Sequence, residues 1–394
     1  MKILLVGPFI TSRKSKNFGG ISSHITELYD ELKKEPTNQV DVLVTGLEQS
    51  SSVDNESSTF YGFDLTFGNL FKFLISFPGA LLKSRFIHNG YLGVLKFFYY
   101  AFRVASVDLS KYDVIHIHGL HGAFALCFVG QKCKAKKILT IHSYHMYDPK
   151  VHVKRRFINH LNHVVNGMDH VIHVSAVDRE KGLKLGLDLP PEKDGRHIYN
   201  GIYVPESINT PEFNKNVCYI GGLVSRKRVN LVIDAIIDTD MNLIICGDGS
   251  ELRSKVQQAA QNRRNIKFQG QLDKEQIYNQ LSDGSVLVVP SMSESFGIVY
   301  IEALIHGVPV IGYEHSINEF RDFLDVSSEE SPLIVPFSPT NDNSEDLRQE
   351  ILGIHEYRWS EKGRAAMVTL QFKAIEAFKW ESIRGLVLDL YKKS

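Results

Sequence analysis

The chain has 394 residues, 43% hydrophobic and 23% charged, the make-up of a globular protein long enough for two domains. Its 45 Lys and Arg balance 45 Asp and Glu, and the basic residues form no aromatic-interleaved pattern of the kind that reads nucleic acid. No uncharged apolar run reaches the roughly 18 residues of a spanning helix, and Cys127, Cys133, Cys218 and Cys246 are scattered without metal-ligand spacing, so they read as reduced, mostly buried thiols.

The charge balance conceals an asymmetry. Residues 1–200 hold 25 Lys and Arg against 18 Asp and Glu, a net of +7; residues 201–394 hold 20 against 27, a net of −7. Thirteen of the 16 histidines lie in the first half. A basic half suits an anionic partner such as a phospholipid surface or a phosphorylated acceptor, and equally fits an uneven split between two domains.

The first half alternates strand and helix. KILLVGPF, directly after Met1, reads as a first strand rather than a signal peptide. Ile21, Ile25, Leu28 and Leu32 then recur at helical spacing, with Ser22 or Ser23 near the start. VDVLVTG is a second strand, and residues 48–64 read as a polar, Ser-rich loop. Residues 65–107 are rich in Phe, Tyr and Leu, interspersed with Lys72, Lys83, Arg85, Lys96 and Arg103. Such a segment suits either a membrane interface or apolar acceptor, or a helix pair covering the sheet. VIHIHG, KKILTIH and HVIHVS follow as short apolar strands, the signature of a parallel sheet with crossover helices.

Near Leu189-Pro190-Pro191 the composition changes, and residues 203–214 read as a linker. The second half repeats the alternation through VCYIGG, MNLIICGDG, NIKFQG, SVLVVPS, VPVIGY and LIVPF. A helical tail covers 343–394, with Ile351, Ile354, Ala366, Met367, Phe372, Ile375, Phe378, Leu386 and Leu390 at its apolar positions.

Polar residues gather at strand ends, where open α/β sheets bind ligands. Gly221-Gly222 is followed by Arg226, Lys227 and Arg228 before a helix starting near Asn230, which fits a diphosphate site or a solvated basic turn. Gly247 lies in the tight turn CGDG. Glu294 and Glu302 stand eight positions apart, with Ser295, Phe296 and Gly297 at the amino end of a helix, where free N–H groups favour a phosphate. A helix-dipole acid followed by a solvated Glu is the plainer alternative. In the first half Gly19-Gly20 opens the first helix, and His142 closes a strand. His116 and His118 share one face of another strand, with His118 nearer the rim. A structural role is open for each histidine, and the absence of HExxH or a Cys/His cluster in the sequence argues against a zinc centre.

With these residues in place the chain resembles the retaining glycosyltransferases of family 4, which have the GT-B fold. Glu294-Ser-Phe-Gly-Ile-Val-Tyr-Ile-Glu302 looks like the family's E-x7-E motif, followed by Ala-Leu-x-x-Gly-Val-Pro-Val-Ile. Phe18-Gly19-Gly20, His142, Ser175, Asn200-Gly201, Gly221 with Lys227, Gly247-Asp248-Gly249, Pro290-Ser291 and Phe378-Lys-Trp380 are supporting matches. The resemblance implies an α/β architecture of two Rossmann-like domains facing across a cleft. Residues 1–202 would bind the acceptor, 203–378 the nucleotide-sugar, and a last helix in 379–394 would return to the first domain.

It also implies roles. Lys227 would contact the diphosphate, Glu302 the ribose, and Glu294 the donor sugar near its transferred carbon. Gly19, Gly20 and His142 would line the opposite wall, with Gly222, Arg226, Gly247, Ser295, Phe296, Gly297 and Ile298 completing the donor site. No metal or other cofactor is implied. The family's Gly-Arg reads Gly221-Gly222 here, so Arg226 or Arg228, with Arg226 preferred, would replace that arginine. Its Asn-Gly-x-Asp reads Asn200-Gly201-Ile202-Tyr203. The expected activity is transfer from a UDP- or GDP-sugar to a glycan or lipid-linked acceptor in polysaccharide or glycoconjugate synthesis. The expected setting is the cytoplasm, with peripheral contact at the inner membrane face through 65–107. A nucleotide-sugar epimerase or hydrolase of the same fold, or a non-catalytic nucleotide-sugar-binding subunit, are the alternatives.

Overall fold

The computed structural model describes residues 1–9, 20–45, 58–61, 71, 74, 90–119, 123, 125–126, 133–144, 154–204 and 213–393. Its contacts divide the chain into two units, Met1–Gly201 with Ile383–Ser394, and Ile202–Ser382.

In the first unit, strands β1 (Lys2–Gly7), β2 (Gln39–Val44), β3 (Phe60–Tyr61), β4 (Val114–His118), β5 (Lys136–Ile141), β6 (His170–His173) and β7 (Asp194–His197) form one sheet in the order β3-β2-β1-β4-β5-β6-β7. Every pairing is parallel, with Leu5 opposite Val42 and His116 on its two sides. Ile3, Leu4, Leu5, Val42, Ile115, Ile138 and Leu139 are fully or almost fully buried, as continuous apolar strands covered on both faces must be. The apolar spacing of the first helix holds for Ile25, Leu28 and Leu32, which are buried in Gly20–Lys33, whereas Ile21 stays exposed.

The short strand β3 is a difference from the sequence reading, which took 48–64 as loop. Phe60 and Tyr61 pair with Val42 and Leu43. The tether is polar: the Thr59 N–H and the Tyr112 hydroxyl both donate to the buried Asp41 carboxylate, at 2.7 and 2.6 Å. The helix Gly90–Ala105 covers this side through Phe97, Ala101, Val104 and Ala105. Its Arg103 is 1% exposed, and one guanidinium nitrogen donates to the carbonyls of Val44 and Tyr61, both at 2.7 Å. Arg103 is therefore a structural tie and not a cation offered to a membrane or acceptor. The rest of 65–107, apart from Phe71, Leu74 and residues 90–107, lies outside the described residues. Among the described residues no helix is long and apolar enough to cross a membrane.

The last helix, Trp380–Lys392, joins the first unit from Ile383 onward. Tyr391 reaches the sheet, its hydroxyl 2.7 Å from His116 Nδ1, while His116 Nε2 lies 2.7 Å from Thr140 Oγ1. Arg384 pairs with the buried Glu31 at 3.5 Å.

In the second unit, β8 (Asn216–Ile220), β9 (Asn242–Cys246), β10 (Ile266–Gly270), β11 (Val286–Val289), β12 (Val310–Tyr313) and β13 (Ile334–Phe337) form a parallel sheet in the order β10-β9-β8-β11-β12-β13. Both sheets reverse direction of growth next to their first strand, between β1 and β4 and between β8 and β11. That reversal opens a crevice at the carboxyl ends, the usual ligand position in such sheets. The helical tail forms as Ser344–Trp359, Glu361–Phe378 and Trp380–Lys392. Two of its expected core positions are corrected: Phe372 and Leu386 are 65% and 52% exposed.

Burial holds His173 neutral, down to about 4, with its Nε2 2.8 Å from the Tyr144 hydroxyl. Its folded value lies below the unfolded 6.5, so the unfolded chain binds the extra proton. This contribution is therefore fully present above about pH 6.5 and is lost as the pH falls toward 4. Urea unfolding between pH 7 and 5 should show a declining stability. His173→Gln should remove about one proton from the slope, roughly 1.4 kcal/mol per pH unit; an unchanged slope would contradict the assignment.

Candidate active site

Sequence order places two loops at the crevice of the second sheet. The loop after β8 carries Gly221, Gly222 and a single 3-10 turn, Ser225–Lys227. The loop after β11 carries Pro290 to Gly297, and the helix Ile298–Ile305 follows. Lys227 Nζ and Glu294 Oε1 form an ion pair that joins the two loops. Both side chains are largely covered, at 15% and 9% exposure. The Ser291 hydroxyl donates to the same carboxylate oxygen at 2.6 Å. Two charged groups and a hydroxyl are thus fixed at the point where the strand order reverses.

The three adjacent cations separate by role. Arg228 has left-handed backbone, φ 54° and ψ 39°, and is buried. Its Nε donates to the Pro290 carbonyl at 2.5 Å, and its other nitrogens to the carbonyls of Ser338, Pro339 and Asn341 and to Asp342 Oδ1, at 2.9 to 3.2 Å. Its donors are committed to the protein. Arg226 is anchored more lightly: Nη1 donates to the Ser293 carbonyl at 2.6 Å, and its own carbonyl accepts from the Met292 N–H at 2.9 Å.

Gly247 and Gly297 have backbones that require glycine. Gly247 has φ +140°, and a Cβ there would sit 1.9 Å from the Gly221 carbonyl oxygen. It lets the β8 and β9 loops touch and leaves Gly222 half-buried beside them. Gly297 has φ +80° at the helix start, where a Cβ would strike the Tyr300 ring at 2.5 Å. The helix therefore begins close against Tyr300, with Ile298 as its first residue and no side-chain cap at Gly297. In that first turn the Tyr300 N–H already donates to the Gly297 carbonyl at 2.9 Å, and a helix start favours an anion through the amides that precede it. Ser295 is half-buried beside them.

Phe296 stands just before the helix start, as its place in the sequence led one to expect. It is 3% exposed and packs edge-on against Phe320 and Phe378, at 5.4 and 5.9 Å between ring centres. Its side chain is a core plug. Glu302 lies one turn into the helix at 9% exposure, with its carbonyl accepting from the His306 N–H and from Nδ1.

Sequence reasoning missed the supports beneath the ion pair. Tyr219 donates its hydroxyl to the Gly222 carbonyl at 3.0 Å, and Tyr300 to the Val289 carbonyl at 2.7 Å. Burial, and next the Glu294 carboxylate, push both phenols up, so both remain donors. Tyr300 falls within the Glu294–Glu302 motif, but its helical position alone did not reveal that its hydroxyl turns back onto the preceding strand.

Gly20 and His142 belong to the first unit, and Gly19 lies outside the described residues. Gly20 opens the first helix, and among the described residues nothing lies within 4 Å of where a Cβ would stand. His142 follows β5, and its Nε2 lies 3.0 Å from His118 Nδ1. Burial lowers both imidazoles well below their usual range, so both are neutral. The other rim candidate, His116, is held between Tyr391 and Thr140 and serves the packing of the last helix.

Two parallel sheets of this order are the architecture of the GT-B glycosyltransferases. Glycosyltransferase Family 4 matches residues 18–204, and Glycosyl transferases group 1 matches residues 204–319. The chain belongs to the family 4 glycosyltransferases. An uncharacterized glycosyltransferase of Methanocaldococcus jannaschii is 31% identical over 211 residues, 52% of this chain and 57% of that protein. A phosphatidyl-myo-inositol mannosyltransferase of Mycolicibacterium smegmatis is 21% identical over 384 residues, 95% of this chain and 90% of that protein. The matches span 57 to 62% of the length of the first curated relatives. Among solved structures, HepE of Anabaena in complex with UDP-glucose superposes with a TM-score of 0.68 at 15% identity over all of both chains, which carries the fold.

Arg228→Ala should lower stability by about 3 kcal/mol or more, because several buried carbonyls lose a charged donor. Arg226→Ala should cost about 1 kcal/mol. Equal losses in urea denaturation would contradict the division of roles.

Proposed function

We propose that the chain is a retaining hexosyltransferase. It would move a sugar from a UDP- or GDP-linked donor to a hydroxyl of a glycan or lipid-linked acceptor, in surface polysaccharide or glycoconjugate synthesis. The observation that carries this reading is the Lys227–Glu294 pair at the β8/β11 crevice, set beside the start of the helix Ile298–Ile305. An ammonium group has three donors. Lys227 can keep Glu294 and still bind a diphosphate oxygen, with Arg226 and the first-turn amides adding positive potential. The carboxylate is then left to accept sugar hydroxyls, and Glu302 is assigned to the ribose.

In the proposed reaction the bond from the anomeric carbon to the diphosphate oxygen breaks. A bond to the acceptor oxygen forms on the same face, and the acceptor proton passes to the departing diphosphate. Negative charge grows on that leaving group as the bond breaks. Preorganised donors at Lys227 and the helix start therefore act most strongly in the transition state. Among the residues assigned to the site, no second carboxylate is placed with Glu294 as a double-displacement pair, which favours same-face substitution. His142 is assigned a contact with the donor as a neutral imidazole, and Gly19 and Gly20 a backbone contact. No metal or other cofactor is assigned to the chemistry.

The UDP-glucose in the HepE structure supports a uridine donor. The name of the mycobacterial relative, a phosphatidyl-myo-inositol mannosyltransferase, supports a lipid-linked acceptor. Membrane contact through 65–107 belongs to the same reading, although Arg103 is excluded from it by its internal bonds.

A thermal-shift panel of UDP- and GDP-sugars should identify a stabilising donor. With that donor, Lys227→Met should weaken binding by about 10- to 100-fold, the worth of one charge-assisted contact. Glu294→Gln should keep donor affinity within a few-fold and reduce turnover by about 100-fold or more. Unchanged donor affinity in Lys227→Met would overturn the diphosphate assignment. Conversion of the donor's sugar without any acceptor would replace the transferase reading with an epimerase.

A further inference from the structure

The first sheet has its own reversal, between β1 and β4, and it holds a different chemistry. His24 comes from the helix after β1, His118 ends β4, and His142 follows β5. These residues are far apart in sequence, so no metal-ligand spacing announces them. The three rings converge, at 5.2 to 5.5 Å between centres. One ring nitrogen from each lies within 4.8 Å of the other two. His24 and His118 are buried and His142 is nearly so, at 9% exposure, and among the described residues no carboxylate belongs to the group.

We infer that His24, His118 and His142 form a binding site for a borderline divalent transition-metal ion of the zinc class. Nitrogen ligands alone select such ions over Mg2+ or Ca2+, which take oxygen ligands. Zn–N bonds of about 2.0–2.1 Å in tetrahedral geometry put ligand nitrogens about 3.4 Å apart. His118 Nδ1 and His142 Nε2 already stand 3.0 Å apart, and a widest separation of 4.8 Å closes by about 1.4 Å through small ring movements. A second observation points the same way. His118 Nε2 is buried without a hydrogen-bond partner among the described residues, so the ring is satisfied there at Nδ1 alone.

The ion is not assigned to the transfer chemistry. It would occupy His142, so binding would withdraw that ring from the donor and make the site inhibitory. That consequence rests on the role proposed for His142; the binding site itself does not.

The test is therefore read without turnover. Chelator-stripped protein is titrated with Zn2+ against a chromophoric competitor, and with Co2+ for its visible absorption. One ion per chain is expected, with a rise in Tm on adding Zn2+. His24→Gln and His118→Gln, each checked for native circular dichroism, should weaken Zn2+ by about 30-fold or more and lose the Co2+ absorption. His355→Gln, in the second unit, should bind as the parent does. The assignment is overturned if the parent takes up no stoichiometric Zn2+. It is also overturned if a folded His24→Gln or His118→Gln retains the parent affinity. If one of these variants does not fold, the other decides.

Discussion

Arg228 determines the geometry of the second crevice. Its left-handed backbone turns the chain between the 3-10 turn and the helix Val229–Ile236, and its guanidinium binds the loops after β11 and β13. A non-glycine residue with positive φ is strained, by about 1–2 kcal/mol in this region. Hydrogen bonds from one buried cation to several carbonyls offset that strain. The result is that Lys227, one residue earlier, is held at a fixed place beside the β11 loop. The ion pair with Glu294 depends on this anchoring, because an unconstrained lysine in a solvated turn would gain little from an exposed partner.

The first unit uses buried cations and imidazoles in the same structural way. Arg103 ties β2 and β3 to the helix Gly90–Ala105, and His116 ties the last helix to the sheet through Tyr391. A count of charges along the sequence cannot separate these residues from solvent-facing ones. The +7 of residues 1–200 therefore overstates what the described surface can offer to an anionic partner.

Continuous apolar strands made both sheets legible, because parallel strands covered on two faces leave an unbroken hydrophobic run. The E-x7-E spacing made the second crevice legible, since it fixes one acid before a helix and one within it. What escaped the sequence depended on contacts distant along the chain. The edge strand Phe60–Tyr61 forms because β2 and the buried Asp41 hold it, although its flanks are polar. The strand Asp194–His197 carries little apolar character and is recruited by pairing with β6. The core packing of the Phe296 ring is set by Phe320 and Phe378, later in the chain. Arg226 and Arg228 were interchangeable as letters and differ only through backbone conformation and what lies within reach.

Two sheets of the same strand order thus carry opposite electrostatics at equivalent positions. At β8/β11 a cation and a carboxylate survive burial because each is the other's partner. At β1/β4 the imidazoles survive burial by remaining uncharged, since protonated rings about 5 Å apart would repel strongly in a poorly solvated site. The difference matches the demands of the proposed reaction. A leaving diphosphate gains charge and is stabilised by a fixed cation, whereas a sugar stays neutral and is held by groups that both donate and accept. Neutral imidazole meets that second demand, and the same free lone pair makes it a metal ligand. The property that suits the first crevice to a sugar is therefore also the one that exposes it to capture by a transition-metal ion.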